Sequence, residues 1–414
     1  MLRIIRRFFY NLQAEIIGRN LTQNFRMIFF SRITINSATQ LMGLFLPIFL
    51  YQFFDLSLWS VIFYYLIIDA LYAGLVIFGC KGIMNKIGIK KSLQLSVLFG
   101  AAYYVVFFLI NRFVIAGDLL ENISAWIWVI PAMIFTLLFR LSHWIPFHTN
   151  VAKLTEKTVR ASQLSLMEAT MMAIGAIMPI VAGLVLDYLG YEVLFLTAIA
   201  IYLISLIPFS FLPAVEEKFV WSWRKTWRKF FSKKMRPSII AYAGDGAESV
   251  AGSIIWPIFI WQLLKGDYFQ IGALSSVIIL ATIILQMVFG GILDKFSNRR
   301  RLLRYGTFLY ALGWILKALI DSAFQVFLFS TYHNLSRVFS RTSFDVLNYD
   351  IAADQGHYVD EYTVVREMAI LIGKVIMAIF ILILLPYLSL RYIFLLAALA
   401  SLAMSLLRQE EINA

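Results

Sequence analysis

The chain has 414 residues, of which 61% are hydrophobic and only 14% are charged. A soluble domain is about 45 to 50% apolar and about 25% charged, so this composition excludes a water-soluble enzyme and indicates a membrane protein. The 36 Lys and Arg residues outnumber the 24 Asp and Glu residues, which gives a net charge of +12. These basic residues lie in short blocks between apolar runs, and nucleic-acid binding would require them on one soluble face. We therefore expect the lipid bilayer, and no nucleic acid, as a partner.

Apolar runs of about 20 residues recur along the chain, and each can cross a bilayer as a helix. None of them alternates with the period of two that marks a transmembrane β-barrel. The sequence thus predicts an all-α membrane protein with twelve transmembrane helices, six on each side of a polar stretch. The predicted spans are 27–51, 58–80, 92–111, 125–146, 161–186, 191–212, 238–264, 269–293, 305–320, 324–347, 363–386 and 388–407.

This pattern divides the chain into five regions. They are a cytoplasmic amphipathic segment (1–26), an N-terminal six-helix bundle (27–212), a basic linker (213–237), a C-terminal six-helix bundle (238–407) and a tail (408–414). In the linker, Trp223, Trp227 and Phe230 recur at helical spacing beside basic residues. We expect an interfacial helix there and another in the N-terminal segment. A calmodulin-like target helix is the less favoured alternative.

The loops predict the orientation of the chain. Most Lys and Arg residues outside the spans lie in the two tails and in the even-numbered loops, whereas the odd-numbered loops hold Arg112, Lys265 and Arg391. Because cytoplasmic loops carry an excess of Lys and Arg, both termini are predicted to be cytoplasmic in a multi-pass protein of the cell membrane.

The sequence contains an internal repeat. The stretch Leu46–Gln52 (LPIFLYQ) returns as Trp256–Gln262 (WPIFIWQ), displaced by 210 positions, and the loop at Asn85–Lys91 returns at Asp294–Arg300, displaced by 209. An even number of spans separates the copies, so the two halves have parallel orientation. Halves of this kind build transporters whose binding site lies at the membrane midplane between them.

The second-half loop reads GGILDKFSNRR from Gly290 to Arg300, with a glycine, an acid four residues later and then paired basic residues. With the helix count and the repeat, this loop resembles the signature of the major facilitator superfamily, with Ser297 where glycine is usual. The resemblance implies two pseudo-symmetric six-helix halves working by alternating access. In span five, Pro179 and Gly183 partly resemble the superfamily's antiporter signature, which slightly favours efflux over uptake.

By this resemblance, the loop residues form a latch between the halves at the cytoplasmic face. Asp294 is then the stronger latch and Asn85 an uncharged, weaker one, so we expect asymmetric gating. The alternative for the basic residues is that they serve only topology. The candidate gating residues are Asn85, Gly88, Lys90, Lys91, Glu168, Gly290, Asp294, Lys295, Arg299, Arg300, Arg341, Asp345 and Glu367.

Ionisable residues inside the spans indicate which helices surround a cavity, because each costs at least about 2.5 kcal/mol when it faces lipid. Spans three, six and twelve carry none within their apolar bodies, and span nine has only Lys317, near its outer end, where it can snorkel. The resemblance independently puts these four helices on the lipid side. The candidate substrate and coupling residues are Asn36, Gln40, Asp69, Arg140, Asp245, Glu248, His333, Asn334, Arg337 and Lys374.

Each candidate has a structural alternative. Glu248 is favoured for proton linkage, because a carboxyl group in an apolar site can exchange protons near neutral pH. The glycines on both sides of Asp245 also fit close packing or a helix break. For His333, a satisfied polar residue is the more favoured explanation. Asp69 and Lys374, on helices that the resemblance brings together, fit a structural ion pair as well as a proton carrier.

Two arginines bear on the substrate. Arg140 and Arg337 occupy comparable depths in spans four and ten and would suit an anionic solute, since guanidinium groups bind carboxylate or phosphate in a bidentate manner. The slightly favoured alternative is that Glu168 and Asp345 neutralise them.

The function predicted from the sequence is a secondary active transporter for a small solute, with protons as a candidate coupling ion. We expect a monomer, without enzyme chemistry, metal or bound cofactor, and the chain has no phosphate-binding loop for ATP. One alternative is a lipid or lipid-linked flippase, or a non-transporting receptor, on the same fold. A membrane-embedded enzyme of lipid metabolism, suggested by His143 and His148, is less favoured because no catalytic motif accompanies them.

Overall fold

The computed structural model describes residues 23–115, 124–154, 160–213, 222–293, 299–353 and 359–407, and within these ranges it contains helices and no strand. An apolar chain in lipid must satisfy its backbone hydrogen bonds internally, and a helix does so within one segment. The helices are α1 Gln23–Gly43, α2 Phe45–Phe53, α3 Leu58–Lys86, α4 Ile89–Leu109, α5 Ala125–Leu154, α6 Arg160–Ser210, α7 Trp223–Phe230, α8 Arg236–Val250, α9 Trp256–Leu263, α10 Tyr268–Leu293, α11 Arg299–Lys317, α12 Ala323–Ala353, α13 Val359–Leu384 and α14 Ile393–Ala403.

Six helices in the described ranges are long and apolar enough to cross a membrane, or seven if the bent pair α1 and α2 counts as one. One of the six is the 45-residue stretch Leu166–Ser210 within α6. At about 1.5 Å per residue it is roughly twice as long as a bilayer core is thick. It is broken at Gly190, whose φ of 76° suits glycine, so this stretch has the length for two crossings. Every predicted span overlaps a helix, but twelve crossings stay a prediction.

The first and seventh predicted spans are not continuous α-helices. Between α1 and α2 the axis bends by 44°. Between α8 and α9 the residues Ala251–Ile255 form a π-helical turn. Both irregularities lie just before or at the repeated sequence, so each half carries a broken helix at its first span.

The repeat extends from the sequence into the backbone. After α2 the N–H of Leu56 donates to the carbonyl of Tyr51 (2.8 Å), and after α9 the N–H of Gly266 donates to the carbonyl of Trp261 (2.9 Å). Leu56 and Gly266 have φ of 60° and 82°. A left-handed leucine costs roughly 1 to 2 kcal/mol, and glycine avoids that cost in the second copy.

The helices that follow these two turns begin in the same way. The Ser57 hydroxyl accepts from the N–H of Ser60 (3.2 Å), and the Asp267 carboxylate accepts from the N–H of Gln270 (2.8 Å). Each side chain thus caps a helix start that would otherwise leave N–H groups unpaired. We call the end of the molecule that carries residues 54–57 and 264–267 the turn end, and the opposite end the linker end.

Four helix pairs of the described residues join the two halves. In each pair a helix of the first half packs against one of the second: α3 against α13, α6 against α10, α2 against α9, and α5 against α13. Predicted spans two and eleven correspond to α3 and α13, so these predicted neighbours form the first of these pairs. The cavity between the halves is bounded by α1 and α6 of the first half and by α10, α11 and α12 of the second half.

Large apolar side chains cover the outer surface of the helices predicted to face lipid. Leu98 on α4, Ile207 on α6, Phe308 on α11 and Leu399 on α14 are all exposed. This agrees with a lipid-facing surface. The opposite face of α11 turns inward with Tyr310 and Trp314 fully buried.

In the linker, α7 is a short helix whose start is capped by Ser222, which accepts from the N–H of Lys225. Phe230 is buried and Trp223 is exposed beside Phe78 of α3. Its position in the interface plane stays a prediction. The predicted amphipathic segment 1–26 lies mostly outside the described residues.

Candidate functional site

A cavity of about 260 Å³ lies between the two halves. Its wall combines two amides, two hydroxyls and one ammonium group with apolar side chains. The lining residues are Gln40, Gly43, Leu44, Pro179, Trp256, Ser275, Ile278, Ile279, Lys317, Ser330 and Asn334. Of the sequence-predicted substrate residues, the structure brings Gln40 of the first half and Asn334 of the second half together here.

A cluster of titratable and aromatic side chains lies behind this cavity in the second half. Glu248 is buried and accepts a hydrogen bond from the Tyr310 hydroxyl. His333 stacks on Tyr310 (ring centroids 4.5 Å apart) and packs edge-on against Trp314 (4.5 Å). The His333 Nδ1 atom has no hydrogen-bond partner, so the predicted explanation of a satisfied polar residue is wrong for this nitrogen.

Lys317 belongs to this cluster, and the prediction that it snorkels to the surface is wrong. Its side chain is 4% exposed, and its ammonium lies 4.0 Å from the ring centroid of Trp256 and 4.5 Å from that of Trp314. Both indoles attract the cation through their π faces. The physical reason is that the inward face of α11 meets a polar cavity, so the lysine side chain reaches polar surroundings without leaving the protein.

The first intramembrane ion pair joins two helices of the first half. Arg140 Nη1 lies 2.5 Å from Asp69 Oδ1, and both side chains are largely buried. The predicted pair between Asp69 and Lys374 is therefore wrong, and so is the neutralisation of Arg140 by Glu168. A planar guanidinium from the adjacent α5 reaches the carboxylate of α3 more closely than a lysine across the interface between halves. Lys374 makes no ion pair within 4 Å in the described part of the chain.

The second ion-pair network joins α8 and α12. Arg341 donates from Nη1 to Asp245 Oδ1 (2.6 Å) and from Nε to Asp345 Oδ2 (3.1 Å). Asp345 lies one turn from Arg341 along α12 and neutralises it. The prediction that Asp345 neutralises Arg337 is therefore wrong. Asp245 is a structural partner in this network. The flanking Gly246 permits close packing, because an added Cβ would lie 1.9 Å from the carbonyl oxygen of Ile370 on α13.

Arg337 keeps its charge available. Its side chain is exposed, and among the residues described no carboxylate lies within 4 Å of it. It acts electrostatically on the nearby Glu248 and Tyr310. Asn36 of α1 is half-buried, and its amide nitrogen has no hydrogen-bond partner. Both side chains therefore have unused hydrogen-bond donors.

The candidate gating residues are only partly described. Glu168 is exposed on α6 and lies in the electrostatic field of Asp345, Arg32 and Arg341, so charges of both halves face each other toward the linker end. Gly88 precedes α4 with a φ of 83°, a backbone conformation that by itself explains a glycine at this position.

The remaining candidate gating residues lie as follows: Asn85 and Lys91 are exposed, Lys90 and Glu367 are half-buried, Gly290 lies in α10, and Arg299 and Arg300 begin α11. Asp294 and Lys295, and with them the predicted latch, lie outside the described residues.

At the turn end the two copies of the repeat contact each other. Gln262 donates to the Tyr51 hydroxyl (2.8 Å), and Tyr268 donates to Gln52 Oε1 (3.0 Å). The Tyr51 ring packs edge-on against Trp261 with centroids 5.8 Å apart. Tyr51, Trp261 and Gln262 thus join the two copies of the repeat, and Gln52 joins the first copy to Tyr268 at the start of α10.

Close backbone contact between α6 and α10 also closes the turn end. An added Cβ at Gly183 would lie 2.5 Å from the carbonyl oxygen of Tyr268, and one at Gly272 would lie 2.3 Å from that of Pro179. Pro179 and Gly183 are the residues that partly resemble an antiporter signature. In this structure they form a tight crossing between the two halves.

The histidine pair that suggested an enzyme is packed among aromatic rings. His143 is 1% exposed, its ring is stacked between Phe139 and Phe147, and its Nδ1 lies 3.1 Å from the Ser96 hydroxyl. In the described ranges, no group of three or more His, Cys, Asp or Glu side chains is arranged to hold a metal ion.

Sequence reasoning missed three residues of the site: Tyr310, Trp314 and Lys317. They lie at positions i, i+4 and i+7 of α11 and therefore on one helical face. The exposed apolar residues of the same helix mark its other face. That separation of a polar-aromatic stripe from an aliphatic one was the signal that could have found them.

The fold and the central cavity define the class of protein: a two-half helical transporter fold with a polar cavity between the halves. Residues 239–411 match the family model described as the Major Facilitator Superfamily. The resemblance to this family is confirmed for the second half of the chain, which is the part that the match covers. No curated protein matches the chain.

Several solved structures share this fold. One is a POT family transporter in complex with 5-aminolevulinic acid, 13% identical, with a TM-score of 0.67 over 92% of this chain and 94% of that chain. Another is a POT family transporter in complex with a thioalcohol-conjugated peptide, 13% identical, with a TM-score of 0.68 over 92% and 94%. A third is the peptide transporter POT in complex with sulfate, 12% identical, with a TM-score of 0.67 over 95% and 96%.

Proposed function

We propose that this protein is a secondary active transporter that moves a small solute through the cavity between its halves by alternating access. The observation that carries the proposal is the polar cavity itself, because an apolar fold would not keep amide, hydroxyl and ammonium groups between two rigid halves without a polar occupant. Its volume of about 260 Å³ is slightly below the usual range of about 300 to 1,000 Å³ for ligand pockets, so the solute is small.

The closure at the turn end supports alternating access. The hydrogen bonds of Gln262 and Tyr268 across the turn end and the glycine crossing of α6 on α10 hold the halves together at that end. Rocking of one half against the other would break these contacts and form others near Glu168 and Arg341. In the predicted orientation, the closed end is the extracellular one.

Protons are the proposed coupling ion, with Glu248 as the group that carries them. This acid is buried, it is bonded to Tyr310, and it lies beside the cavity wall, so protonation there can be sensed by the solute site. Efflux is slightly favoured over uptake on the resemblance of span five to an antiporter signature.

A counterflow assay in proteoliposomes tests the proposal. The purified protein is reconstituted in vesicles preloaded with one solute of a panel, and entry of the same radiolabelled solute is measured. The panel includes sugars, amino acids and organic anions, and also 5-aminolevulinate and short peptides because POT structures of the same fold hold such compounds. We expect counterflow of at least one small solute. Movement of a fluorescent lipid without counterflow of any solute would refute the proposal and favour a flippase.

A further inference from the structure

The ammonium group of Lys317 lies in the wall of the central cavity without an anionic partner. The side chain is only 4% exposed, yet it makes no hydrogen bond and no ion pair to the residues that the structure describes. An ammonium group has three hydrogen-bond donors, and a buried charge is costly unless it is paired. Its location is therefore explained only in part by the protein itself.

Two indoles contact the ammonium group of Lys317 and carry no charge that would neutralise it. Trp256 of the broken helix α9 and Trp314 of α11 approach the cation from two sides, at 4.0 and 4.5 Å. A cation–π contact leaves the N–H donors free to point elsewhere. Lys317 also lines the central cavity, so these donors can meet a group bound inside it.

The nearby acid acts on Lys317 through its charge but forms no ion pair with it. Glu248 accepts from Tyr310 and lies in the field of Arg337, and it is farther than 4 Å from Lys317. Lys317 is the charged residue of the cavity lining, and the wall beside it includes neutral donors and acceptors from Gln40, Ser275, Ser330 and Asn334. The Ser330 hydroxyl has no hydrogen-bond partner.

From this arrangement we infer that Lys317 binds the carboxylate of a small organic acid in the central cavity, with the amides of Gln40 and Asn334 holding its uncharged polar end. This inference rests on the proposed function, because it names the substrate class of the same cavity. A carboxylate in front of Lys317 completes the charge balance that the fold leaves open. Arg337 is a second cation beside the cluster and extends the positive field.

Binding is tested separately from transport. The melting temperature of the purified full-length protein in detergent is measured with butyrate and 5-aminolevulinate, each against a counterpart that lacks the carboxylate, butyramide and 5-aminolevulinate methyl ester. We expect the carboxylates to stabilise the protein and the counterparts to do so at least tenfold less potently. Lys317→Gln should weaken the carboxylate effect at least tenfold, whereas Lys265→Gln, which removes an exposed lysine from the turn end, should leave it unchanged. Sulfate serves as a third probe.

Several results would overturn the inference. They are equal stabilisation by the counterparts that lack the carboxylate, equal carboxylate binding by the Lys317→Gln variant, an effect of sulfate alone, and no stabilisation by any carboxylate. Misfolding does not obscure the test, because Lys317→Gln removes an unpaired buried charge and should melt at the same or a higher temperature without ligand. Counterflow of a neutral solute that is insensitive to Lys317 would leave the proposed function intact and refute this inference. Lys317-dependent binding without counterflow would do the reverse.

Discussion

The tight crossing of α6 on α10 gives a direct test of closure at the turn end. Gly272→Ala adds a methyl group that would lie 2.3 Å from the carbonyl oxygen of Pro179, and a backbone carbonyl cannot rotate away as a side chain can. Overpacking of this kind costs about 1 to 3 kcal/mol. Since the two helices belong to different halves, that cost falls on the closed state and is relieved when the halves separate.

The same energy sets the expected size of the effect. A change of 1 to 3 kcal/mol shifts an equilibrium between two states by about 5- to 150-fold. A reporter cysteine at Ser275, which lines the cavity one turn from Gly272, measures this shift. In a Cys80→Ser, Ser275→Cys background, a membrane-impermeant thiol reagent added from the turn end should react at least fivefold faster when Gly272→Ala is present.

Two matched glycine variants serve as controls. Gly246→Ala creates an even closer contact, with Ile370 of the same half, so it should lower the melting temperature without raising labelling from the turn end. Gly74→Ala meets nothing within 4 Å and should change neither quantity. Unchanged labelling in the Gly272→Ala protein, or an equal increase with Gly246→Ala, would show that the α6–α10 crossing does not close this end.

Three further changes follow from the charges. Asp69→Asn leaves Arg140 buried without its partner, so it should destabilise the fold by about 3 kcal/mol; thermal denaturation measures this, and failure of Arg140→Gln to restore part of the loss would argue against the pair. Glu248→Gln should allow counterflow but abolish accumulation driven by a pH gradient, and retained accumulation would exclude Glu248 as the coupling acid. Asp294→Asn should abolish transport at normal expression if the predicted latch operates, and unchanged uptake kinetics would refute the latch.

The architecture was largely readable from the sequence because the bilayer restricts the options. Apolar length predicted where helices lie, and the displacement of 210 positions between Leu46–Gln52 and Trp256–Gln262 predicted two parallel halves. The two copies of the repeat contact each other at the turn end, which the sequence alone does not predict. The break at Gly190 falls between predicted spans five and six, whereas the π-helical turn at Ala251–Ile255 was not predicted, since such a turn leaves no distinctive composition.

The partners of the intramembrane charges were harder to predict. Sequence gives the span of an ionisable residue but not its rotation about the helix axis, and that rotation decided that Asp69 meets Arg140 and not Lys374. For the same reason, Lys317, a single charged residue in an apolar span, was predicted to reach the membrane surface. The choice between snorkelling and burial depends on which face of α11 turns inward.

The asymmetry between the two halves is the property that pseudo-symmetry alone does not explain. In the first half, Asp69 and Arg140 pair with each other, so that half presents no free charge from this pair. In the second half, Arg341 is saturated by two carboxylates while Lys317 and Arg337 keep their donors unused. Electrostatic selection of the solute would therefore reside in the second half, and the first half would contribute neutral amides such as Gln40. In the proposed alternating access, the half that carries Lys317 and Arg337 would hold the solute while the other half moves past it.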